Sequence, residues 1–364
     1  MPSRVVVAVG TKKGMFVFEG GTAARRLELR GPFFPGLGVN AILIDRRGRT
    51  PRVVAAPSSA WFGTTIQISK DLGKKFKPTK SAPAFASDDG RTLKNIWSLA
   101  PGGDGSDYLC GIEPAALFRS DDAGDRWDKV PGITDHAHAR QWHPGNGGLC
   151  MHTILHHDGA LHLGISTGGH YASRDGEQSF TPENAGVGVG FMPERFPDYC
   201  QCVHKIDAHP DKPNRLYMQN HGGFPEDSSM GVLRSDDGGR SWQSIARGLP
   251  SDFGFPIAVH PHDPDTVYVV PLEPATRTCP GGRPAVWRSE SAGDGWQRLS
   301  DGLPKKDAWF TVLRDAFDLD DGRRPSVWFG TTTGQLWRGR EGGESFECVS
   351  SALPPIYCVK AAVV

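Results

Sequence analysis

The sequence lacks an excess of charge of either sign, because 41 Lys and Arg residues balance 41 Asp and Glu residues. A protein that holds nucleic acid needs a basic surplus to neutralise phosphates, so no nucleic-acid partner is expected. Long apolar runs are also missing. The run at residues 5–9 is too short for a signal peptide, and no later stretch approaches the length of a membrane span. The sequence therefore predicts a cytoplasmic protein that makes no membrane contact.

Cysteine is scarce, with seven residues scattered over the chain. An odd, scattered set indicates free thiols and argues against a disulfide framework. Glycine and proline are abundant by contrast, at 46 and 29 residues. Such a density of turn residues is typical of an all-β protein built from short strands.

One short pattern recurs about every fifty residues, which is the period of a propeller blade. Its clearest copy is RSDDGGRSW at residues 234–242, and weaker copies lie at 69–76, 120–127, 173–180, 289–296 and 339–346. These are Asp-boxes. The Asp can accept backbone N–H groups of a tight turn, a Gly supplies a positive φ, and the aromatic residue closes over the hairpin. The structural Asp residues are Asp71, Asp122, Asp175 and Asp237.

The repeats predict an all-β, seven-bladed β-propeller of four-stranded blades that forms a single domain over residues 1–364. A seventh repeat opens the chain, because residues 9–16 (VGTKKGMF) align with 329–336 (FGTTTGQL). The C-terminal segment 357–364 has a strand pattern but no repeat after it. We expect it to supply the inner strand that the first repeat lacks, so that pairing of the N- and C-terminal strands closes the ring.

Two connections are longer than a regular blade requires, at residues 134–148 and 184–199. Both lead from the last strand of one blade to the first strand of the next. In a propeller these connections emerge on the same face as those between second and third strands, and long loops on a rigid scaffold often carry binding residues. We expect the Asp-box hairpins on the opposite face, with a structural role.

His152 and His204 occupy equivalent positions at the start of neighbouring inner strands, which would place both on one ring around the central channel. They are the first candidates for acid–base catalysis or for a divalent transition metal such as zinc, with His143 as a third ligand. Other residues near them are His136, His138, His170, Cys150, Cys200 and Cys202. The spacing matches no compact metal motif, and a structural hydrogen-bonded ring is the alternative.

Glu113 and Glu273 each precede Pro-Ala in a connection between second and third strands, so they should lie across one channel mouth. Paired carboxylates can cleave a glycosidic bond, although Glu-Pro-Ala can equally serve as a turn. The candidates for substrate binding are Arg314, Arg277, Trp142, Asn220 and His221. Four other tryptophans are expected to pack between blades, namely Trp61, Trp97, Trp309 and Trp328.

Over its whole length the chain resembles the bacterial Asp-box (BNR) repeat proteins of the sialidase-like superfamily, and in particular the compact cytoplasmic members often labelled exo-alpha-sialidase or glycosyl hydrolase. The strongest local matches are GIEPAALFRSDDAG, GGLCMH, CVHK and FGTTTGQLW. The resemblance implies the propeller fold and a sialidase-like or glycosyl-hydrolase-like enzyme. The Arg-Ile-Pro element of true sialidases is missing, with residues 31–35 (GPFFP) in its neighbourhood, so sialidase activity itself is not expected.

Two functions follow as hypotheses. The first is a hydrolase or lyase that acts on a small polar or anionic molecule at the channel mouth, with His152, His204, Glu113 and Glu273 in catalytic roles. The second is a non-catalytic scaffold that docks a protein partner on the face with the long loops, as in the photosystem assembly factors that share the Asp-boxes. A propeller supports either function, because a fold does not determine a reaction.

Overall fold

The protein is a ring of seven antiparallel sheets, seen in a computed structural model that describes residues 3–103, 107–222 and 230–364. Six sheets have four strands, and the second has a short fifth strand at its side. This confirms the predicted seven-bladed, all-β propeller. No helix in the described ranges is long and apolar enough to cross a membrane.

The strands are numbered along the chain, and blade 1 joins the last strand to the first three. Blade 1 contains β1 (Arg4–Thr11), β2 (Gly14–Gly21), β3 (Glu28–Phe33) and the final strand β29 (Ile356–Val363). Blade 2 contains β4 (Gly38–Asp45), β5 (Arg52–Ser59), β6 (Gly63–Thr64), β7 (Gln67–Ser69) and β8 (Lys77–Pro78). Blade 3 contains β9 (Asn95–Pro101), β10 (Tyr108–Glu113), β11 (Leu117–Ser120) and β12 (Asp128–Lys129).

The other four blades repeat this order from inner to outer strand. Blade 4 contains β13 (Met151–His157), β14 (Ala160–Ile165), β15 (Gly169–Ser173) and β16 (Thr181–Pro182), and blade 5 contains β17 (Val203–Ala208), β18 (Leu216–Asn220), β19 (Val232–Ser235) and β20 (Gln243–Ser244). Blade 6 contains β21 (Gly254–His260), β22 (Asp263–Pro271), β23 (Val286–Ser289) and β24 (Gln297–Leu299). Blade 7 contains β25 (Phe317–Leu319), β26 (Val327–Gly330), β27 (Leu336–Arg340) and β28 (Ser345–Ser350). Three short helical turns lie in loops, namely α1 (Pro131–Thr134) and the 3₁₀ turns Ala137–Arg140 and Pro280–Gly282.

The ring closes through β29, which pairs antiparallel with β1 along its length. Val5 faces Val363 in this register, and Val9 faces Val359. The backbones of Arg4 and Val364 exchange two hydrogen bonds of 3.2 and 2.8 Å. The predicted pairing of the chain ends is confirmed. Because β29 covers the edge of β1 that faces the channel, β1 is paired on both sides.

The Asp-box hairpins join third and fourth strands, on the face opposite the long loops. In the clearest copy Ser235 Oγ donates to Asp237 Oδ1 at 2.7 Å, and that same carboxylate oxygen accepts the Ser241 N–H at 2.9 Å. Ser235 Oγ in turn accepts the Gly239 N–H at 2.9 Å, at a residue whose φ is +88°. The boxes of Asp71, Asp122 and Asp175 show the same acceptance of an N–H four residues on. We call this side the Asp-box face and the opposite side the loop face.

Six of the seven inner strands carry one extra residue near the loop face, which interrupts the ladder with the second strand. The extra residue is Trp97 in β9, His152 in β13, His204 in β17 and Tyr357 in β29. Such bulges turn a side chain out of the alternating pattern and are common beside functional sites. They place His152 and His204 at equivalent points of neighbouring blades, as the sequence predicts.

Apolar side chains fill the spaces between blades, and the tryptophans divide between this core and the surface. Trp328 is fully buried, and its Nε1 donates to Asp320 Oδ2 at 2.8 Å. The expectation that Trp61 and Trp309 pack between blades is wrong, because they are 91% and 58% exposed. Both lie in connections of the loop face, which stand above the spaces between blades.

Candidate functional site

Six polar residues from four blades come together where the central channel opens on the loop face. They are Glu113, Cys202, His204, His221, Arg277 and Arg314, and we call them the mouth cluster. Cys202 and His204 flank the first residue of β17, and His221 directly follows β18. The others come from the end of β10 and from the connections before β23 and β25. No contiguous stretch of sequence holds this set.

Three members of the cluster present ligand-type atoms to one another. His204 Nε2 lies 3.3 Å from His221 Nδ1 and 3.7 Å from Cys202 Sγ. The other ring nitrogen of His204, Nδ1, is 2.6 Å from the carbonyl oxygen of Gly254. A carbonyl only accepts, so Nδ1 carries the proton and Nε2 presents a lone pair towards the other two side chains.

Arg314 lies between two aromatic rings at the same place. Its guanidinium carbon is 5.4 Å from the centroid of Trp97 and 5.7 Å from that of Phe255, and the Phe255 ring is 4.8 Å from the ring of His204. Arg314 Nε is buried without a hydrogen-bond partner, and no carboxylate of the described ranges forms an ion pair with this guanidinium. The aromatic rings therefore contact a guanidinium that can form an ion pair with a bound anion.

Glu113 forms the opposite side of the mouth. Trp97 Nε1 donates to Glu113 Oε2 at 3.0 Å, so the ring beneath Arg314 also orients this carboxylate. The long loop 134–148 approaches it closely, because a Cβ added to Gly148 would lie 2.6 Å from Glu113 Oε1. Only a glycine fits there, and the φ of Gly148 is +90°.

The connection between β22 and β23 supplies Arg277 and also Glu273. Arg277 has a φ of +57°, an unusual conformation for a residue with a side chain. It is held by its N–H donating to Glu273 O at 2.7 Å and its carbonyl accepting from Thr311 Oγ1 at 2.6 Å. Glu273 itself is exposed on this loop. No recorded side-chain contact within the described ranges joins its carboxylate to Glu113.

Burial and positive charge keep the cluster's histidines neutral. Burial lowers the pKa of His204 well below its usual value, and the charge of Arg314 lowers it further. Burial and then the charge of Arg277 lower the pKa of His221 to about 4. Burial raises the pKa of the Cys202 thiol, whereas the charges of Arg314 and Arg277 act in the opposite direction. Both arginines are therefore within electrostatic reach of Cys202.

The structure separates the other predicted site residues from this cluster. His152 is fully buried, with Nε2 2.7 Å from Val203 O and Nδ1 3.2 Å from Thr153 Oγ1, so both ring nitrogens are engaged. Trp142 is buried against Tyr171, to whose hydroxyl its Nε1 donates at 3.2 Å. Asn220 is fully buried and donates to the carbonyls of residues 188 and 230. His143 is exposed, and its carbonyl accepts a hydrogen bond from the hydroxyl of residue 167.

Below the mouth, the channel contains a cavity of about 260 Å³, and its wall includes charged side chains that were not predicted from the sequence. Lys205 Nζ is 2.6 Å from Asp315 Oδ1, and Lys360 Nζ is 3.9 Å from the same oxygen. Burial alone would raise the pKa of Asp315, but the two lysines outweigh burial and lower it. A signal for these residues was present, because charges such as Lys205 and Lys360 interrupt apolar inner strands. A larger cavity, of about 740 Å³, lies near β23 and β24, and no His, Cys or Glu lines it.

A second histidine pair lies between blades 4 and 5 on the Asp-box side. His162 Nδ1 and His170 Nε2 are 2.9 Å apart, and His170 Nδ1 is 3.0 Å from the carbonyl oxygen of Glu183. Both histidines are buried, and the ring of Trp242 packs edge-on against His170. Burial lowers the pKa of His162 to about 2 and that of His170 to about 4. The pair is a neutral, hydrogen-bonded part of the blade interface.

Comparison with known proteins shows distant similarity only. No protein-family model matches the chain. A probable oligoxyloglucan-reducing end-specific xyloglucanase from Neosartorya fischeri is 22% identical in an alignment over 294 residues that covers 71% of this chain and 35% of that protein. The chain thus spans about a third of the length of this curated relative.

Solved structures share the propeller. A GH74 xyloglucanase from Xanthomonas campestris superposes with a TM-score of 0.59 at 17% identity, over 98% of this chain and 52% of that one. YCF48 bound to D1 peptide superposes with a TM-score of 0.52 at 14% identity, over 85% of this chain and 81% of that one. At such identities the likeness shows a common seven-bladed fold. One of these similar structures is named as a xyloglucanase and the other is bound to a peptide.

Proposed function

We propose that the protein is an enzyme, a hydrolase or lyase, that acts on a small anionic molecule bound at the mouth of the channel. The observation that carries the proposal is the convergence of Arg314 and Arg277 on neutral imidazoles and one carboxylate. Arg314 and Arg277 form no ion pair with a carboxylate of the described ranges, and such a pair of cations suits a carboxylate or phosphate group better than a neutral sugar. The similarity to proteins named as xyloglucanases supports a hydrolase on this fold.

Arg314 is the principal anion contact in this proposal. Cation–π contacts with Trp97 and Phe255 restrict its guanidinium before a ligand arrives. Less conformational entropy is then lost when an anion binds, which favours affinity. Arg277, fixed through both of its backbone groups, contributes the second charge from the adjoining loop, which is hydrogen-bonded to the loop of Arg314 through Thr311.

Glu113 is the proposed general acid or base. Trp97 donates to one carboxylate oxygen, Oε2, so Oε1 is available to a substrate proton. His204, kept neutral with its Nε2 lone pair towards the mouth, is the second group there, and that lone pair can either accept a proton or bind a metal ion. Glu273 is proposed as a further carboxylate on the rim, whereas His152 has both nitrogens engaged and supports the ring from below.

Binding of anions tests this proposal directly. Sugar acids, sugar phosphates and small dicarboxylates would be titrated into the protein by calorimetry, with Arg314→Gln as the variant. The matched control is Arg324→Gln, an exposed arginine of the Asp-box face that pairs with Glu341. We expect Arg314→Gln to lose at least about tenfold in affinity, because a hydrogen bond to a charged group contributes about 1.5–3 kcal/mol. Equal affinity in the two variants would contradict the proposal.

Turnover of a binding anion from that panel then tests the roles. Glu113→Gln should lower kcat by about 100-fold with little change in KM, because it removes a proton-transfer group and keeps the shape. Arg314→Gln should mainly raise KM. A Glu113→Gln enzyme with unchanged kcat would exclude the carboxylate from the reaction.

A docking surface for a peptide is the second candidate function, and exposed apolar side chains favour it. Trp61, Phe62, Phe191, Phe196 and Trp309 are between 49% and 91% exposed, and all lie in loop-face connections. Exposed aromatic residues on one face are typical of protein-binding sites. Selection from a displayed peptide library should yield peptides that bind the wild type and not Trp61→Ser. Peptides that bind both equally would argue against this surface.

A further inference from the structure

We propose that Cys202, His204 and His221 bind a divalent transition metal ion, zinc first among them, with one coordination position open to the channel mouth. This goes beyond the proposed function, because metal binding requires no turnover. Thiolate and imidazole are the ligands that zinc prefers in proteins. The set replaces the His152, His204 and His143 combination considered from sequence, whose members the structure does not bring together.

The local backbone brings the three side chains to one point. Val203 and Asn220 are register partners of β17 and β18, so Cys202 and His204 flank one partner while His221 follows the other. The His221 N–H donates to the Cys202 carbonyl at 2.9 Å, which ties the two segments together at the site. The bulge at His204 turns its imidazole to the same side. The ligand atoms of the three residues all lie within 4.8 Å of one another.

Two of the three separations between the ligand atoms match the edges of a zinc tetrahedron, and the third is at most 4.8 Å. With Zn–N of about 2.05 Å and Zn–S of about 2.3 Å, the tetrahedral N···N edge is roughly 3.3 Å and the N···S edge roughly 3.6 Å. His204 Nε2 is 3.3 Å from His221 Nδ1 and 3.7 Å from Cys202 Sγ. The pair His162 and His170 offers a contrast, since its 2.9 Å separation is that of a direct hydrogen bond.

The surroundings of His204 are those of a metal ligand. Metal-binding imidazoles usually donate their other N–H to a carbonyl or carboxylate, which fixes the tautomer and the ring orientation. Gly254 O supplies that acceptor at 2.6 Å from Nδ1. Phe255 packs against the His204 ring at 4.8 Å, and Phe253 packs edge-on against the His221 ring at 5.0 Å. The imidazoles are therefore held in place by packing.

The positive charge around the proposed site favours an anionic ligand at the open coordination position. One thiolate leaves the ion with a net positive charge, and Arg277 and Arg314 add two more positive charges within electrostatic reach of Cys202. Three protein ligands with a free fourth position are the arrangement of catalytic zinc sites, in which water or substrate completes the tetrahedron. Here the fourth ligand would be an oxygen of hydroxide or of an anionic substrate.

Metal content of the wild-type protein is the first test. Protein purified without an affinity tag would be loaded with zinc, dialysed and analysed for bound metal, and we expect about one ion per chain. Stoichiometry below about a tenth after loading would overturn the proposal and leave the three residues as a hydrogen-bonded group. No substrate is needed, so this result is independent of whether the anion-binding proposal succeeds.

Cobalt(II) titration of the metal-free protein identifies the ligands. We expect intense visible bands of tetrahedral cobalt and a thiolate-to-cobalt charge-transfer band. Cys202→Ser should abolish the charge-transfer band, and His221→Ala should weaken cobalt binding at least about tenfold, since even an outer-shell change costs 10–100-fold. The controls Cys150→Ser, a buried thiol nearby, and Cys348→Ser, an exposed one, should keep the spectrum. A band that disappears in Cys150→Ser and survives in Cys202→Ser would overturn the ligand assignment.

A measurement on the wild type covers the case in which a variant fails to fold. Alkylation of native protein, followed by peptide mass spectrometry, reports each thiol separately. Zinc should slow modification of Cys202 at least about tenfold while leaving the exposed Cys348 unchanged, because a bound thiolate is shielded by the ion. Equal rates at Cys202 with and without zinc would contradict the site.

Discussion

Acid should destabilise the protein through the buried pair His162 and His170. Both have folded-state pKa values, about 2 and about 4, below that of an unfolded histidine, which is about 6.5. Below pH 6.5 the unfolded chain therefore binds more protons than the folded one. The stability that the neutral pair contributes is fully present above pH 6.5 and is lost as pH falls towards the folded values.

The size of the loss follows from the pKa difference. A pH of 5 lies about 1.5 units below the pKa of an unfolded histidine. At 1.36 kcal/mol per unit, protonation of each histidine then stabilises the unfolded chain by about 2 kcal/mol. The pair together then accounts for about 4 kcal/mol, a large share of the 5–15 kcal/mol typical of a folded domain. Burial also lowers the pKa of His152 and of His204, so these two histidines add to the loss of stability at low pH.

Urea unfolding at pH 7, 6 and 5 would measure this effect in the wild type, His162→Gln and His170→Gln. Each variant should be less stable at pH 7, yet its free energy of unfolding should fall between pH 7 and pH 5 by about 2 kcal/mol less than that of the wild type. His143→Gln, which removes an exposed histidine, should keep the wild-type dependence. A wild type that loses under about 1 kcal/mol over this range, or a His162→Gln variant with the same slope, would refute the reasoning.

Three further outcomes follow from the fold and the mouth. Deleting β29 (Ile356–Val363) should open the ring, reduce the free energy of unfolding by several kcal/mol and lower the melting temperature by more than about 10 °C. An unchanged transition in calorimetry would contradict closure. Asp237→Ala should cost about 1–2 kcal/mol in chemical denaturation and leave anion binding intact, whereas the exposed Asp294→Ala should cost little. Gly148→Ala should lower kcat without touching the ligand, because its Cβ would displace Glu113, and a wild-type kcat would show that this contact is unimportant.

The architecture was predictable because each repeat carries its own local signal. Ser235, Asp237 and Gly239 specify one hairpin through contacts within seven residues, and that pattern recurs in register. Closure was predictable for a related reason, since the segment 357–364 had a strand pattern and no blade of its own. Both inferences depend on short-range chemistry that a sequence displays directly.

The site was only partly predictable, because it depends on where bulges turn side chains. His152 and His204 are equivalent by register, yet Nε2 of His152 meets the carbonyl of Val203 while Nε2 of His204 meets His221 and Cys202. That difference arises from neighbouring blades and leaves no trace in either strand's own pattern. The exposure of Trp61 was missed for the same reason, since loop height above the ring is a property of three-dimensional packing.

The bulged inner strands have a consequence for how such a ring diversifies. A residue that stands outside the hydrogen-bond ladder can change identity without shifting the register of the strands on either side. Trp97, His152, His204 and Tyr357 occupy such positions, and they differ in size, polarity and chemistry while their backbones remain alike. The propeller thus has a ring of substitutable bulge positions around the mouth of its channel. Single substitutions there can convert a stacking surface into a proton acceptor or a ligand, so descendants of one scaffold can acquire unrelated chemistries while their blades stay superposable.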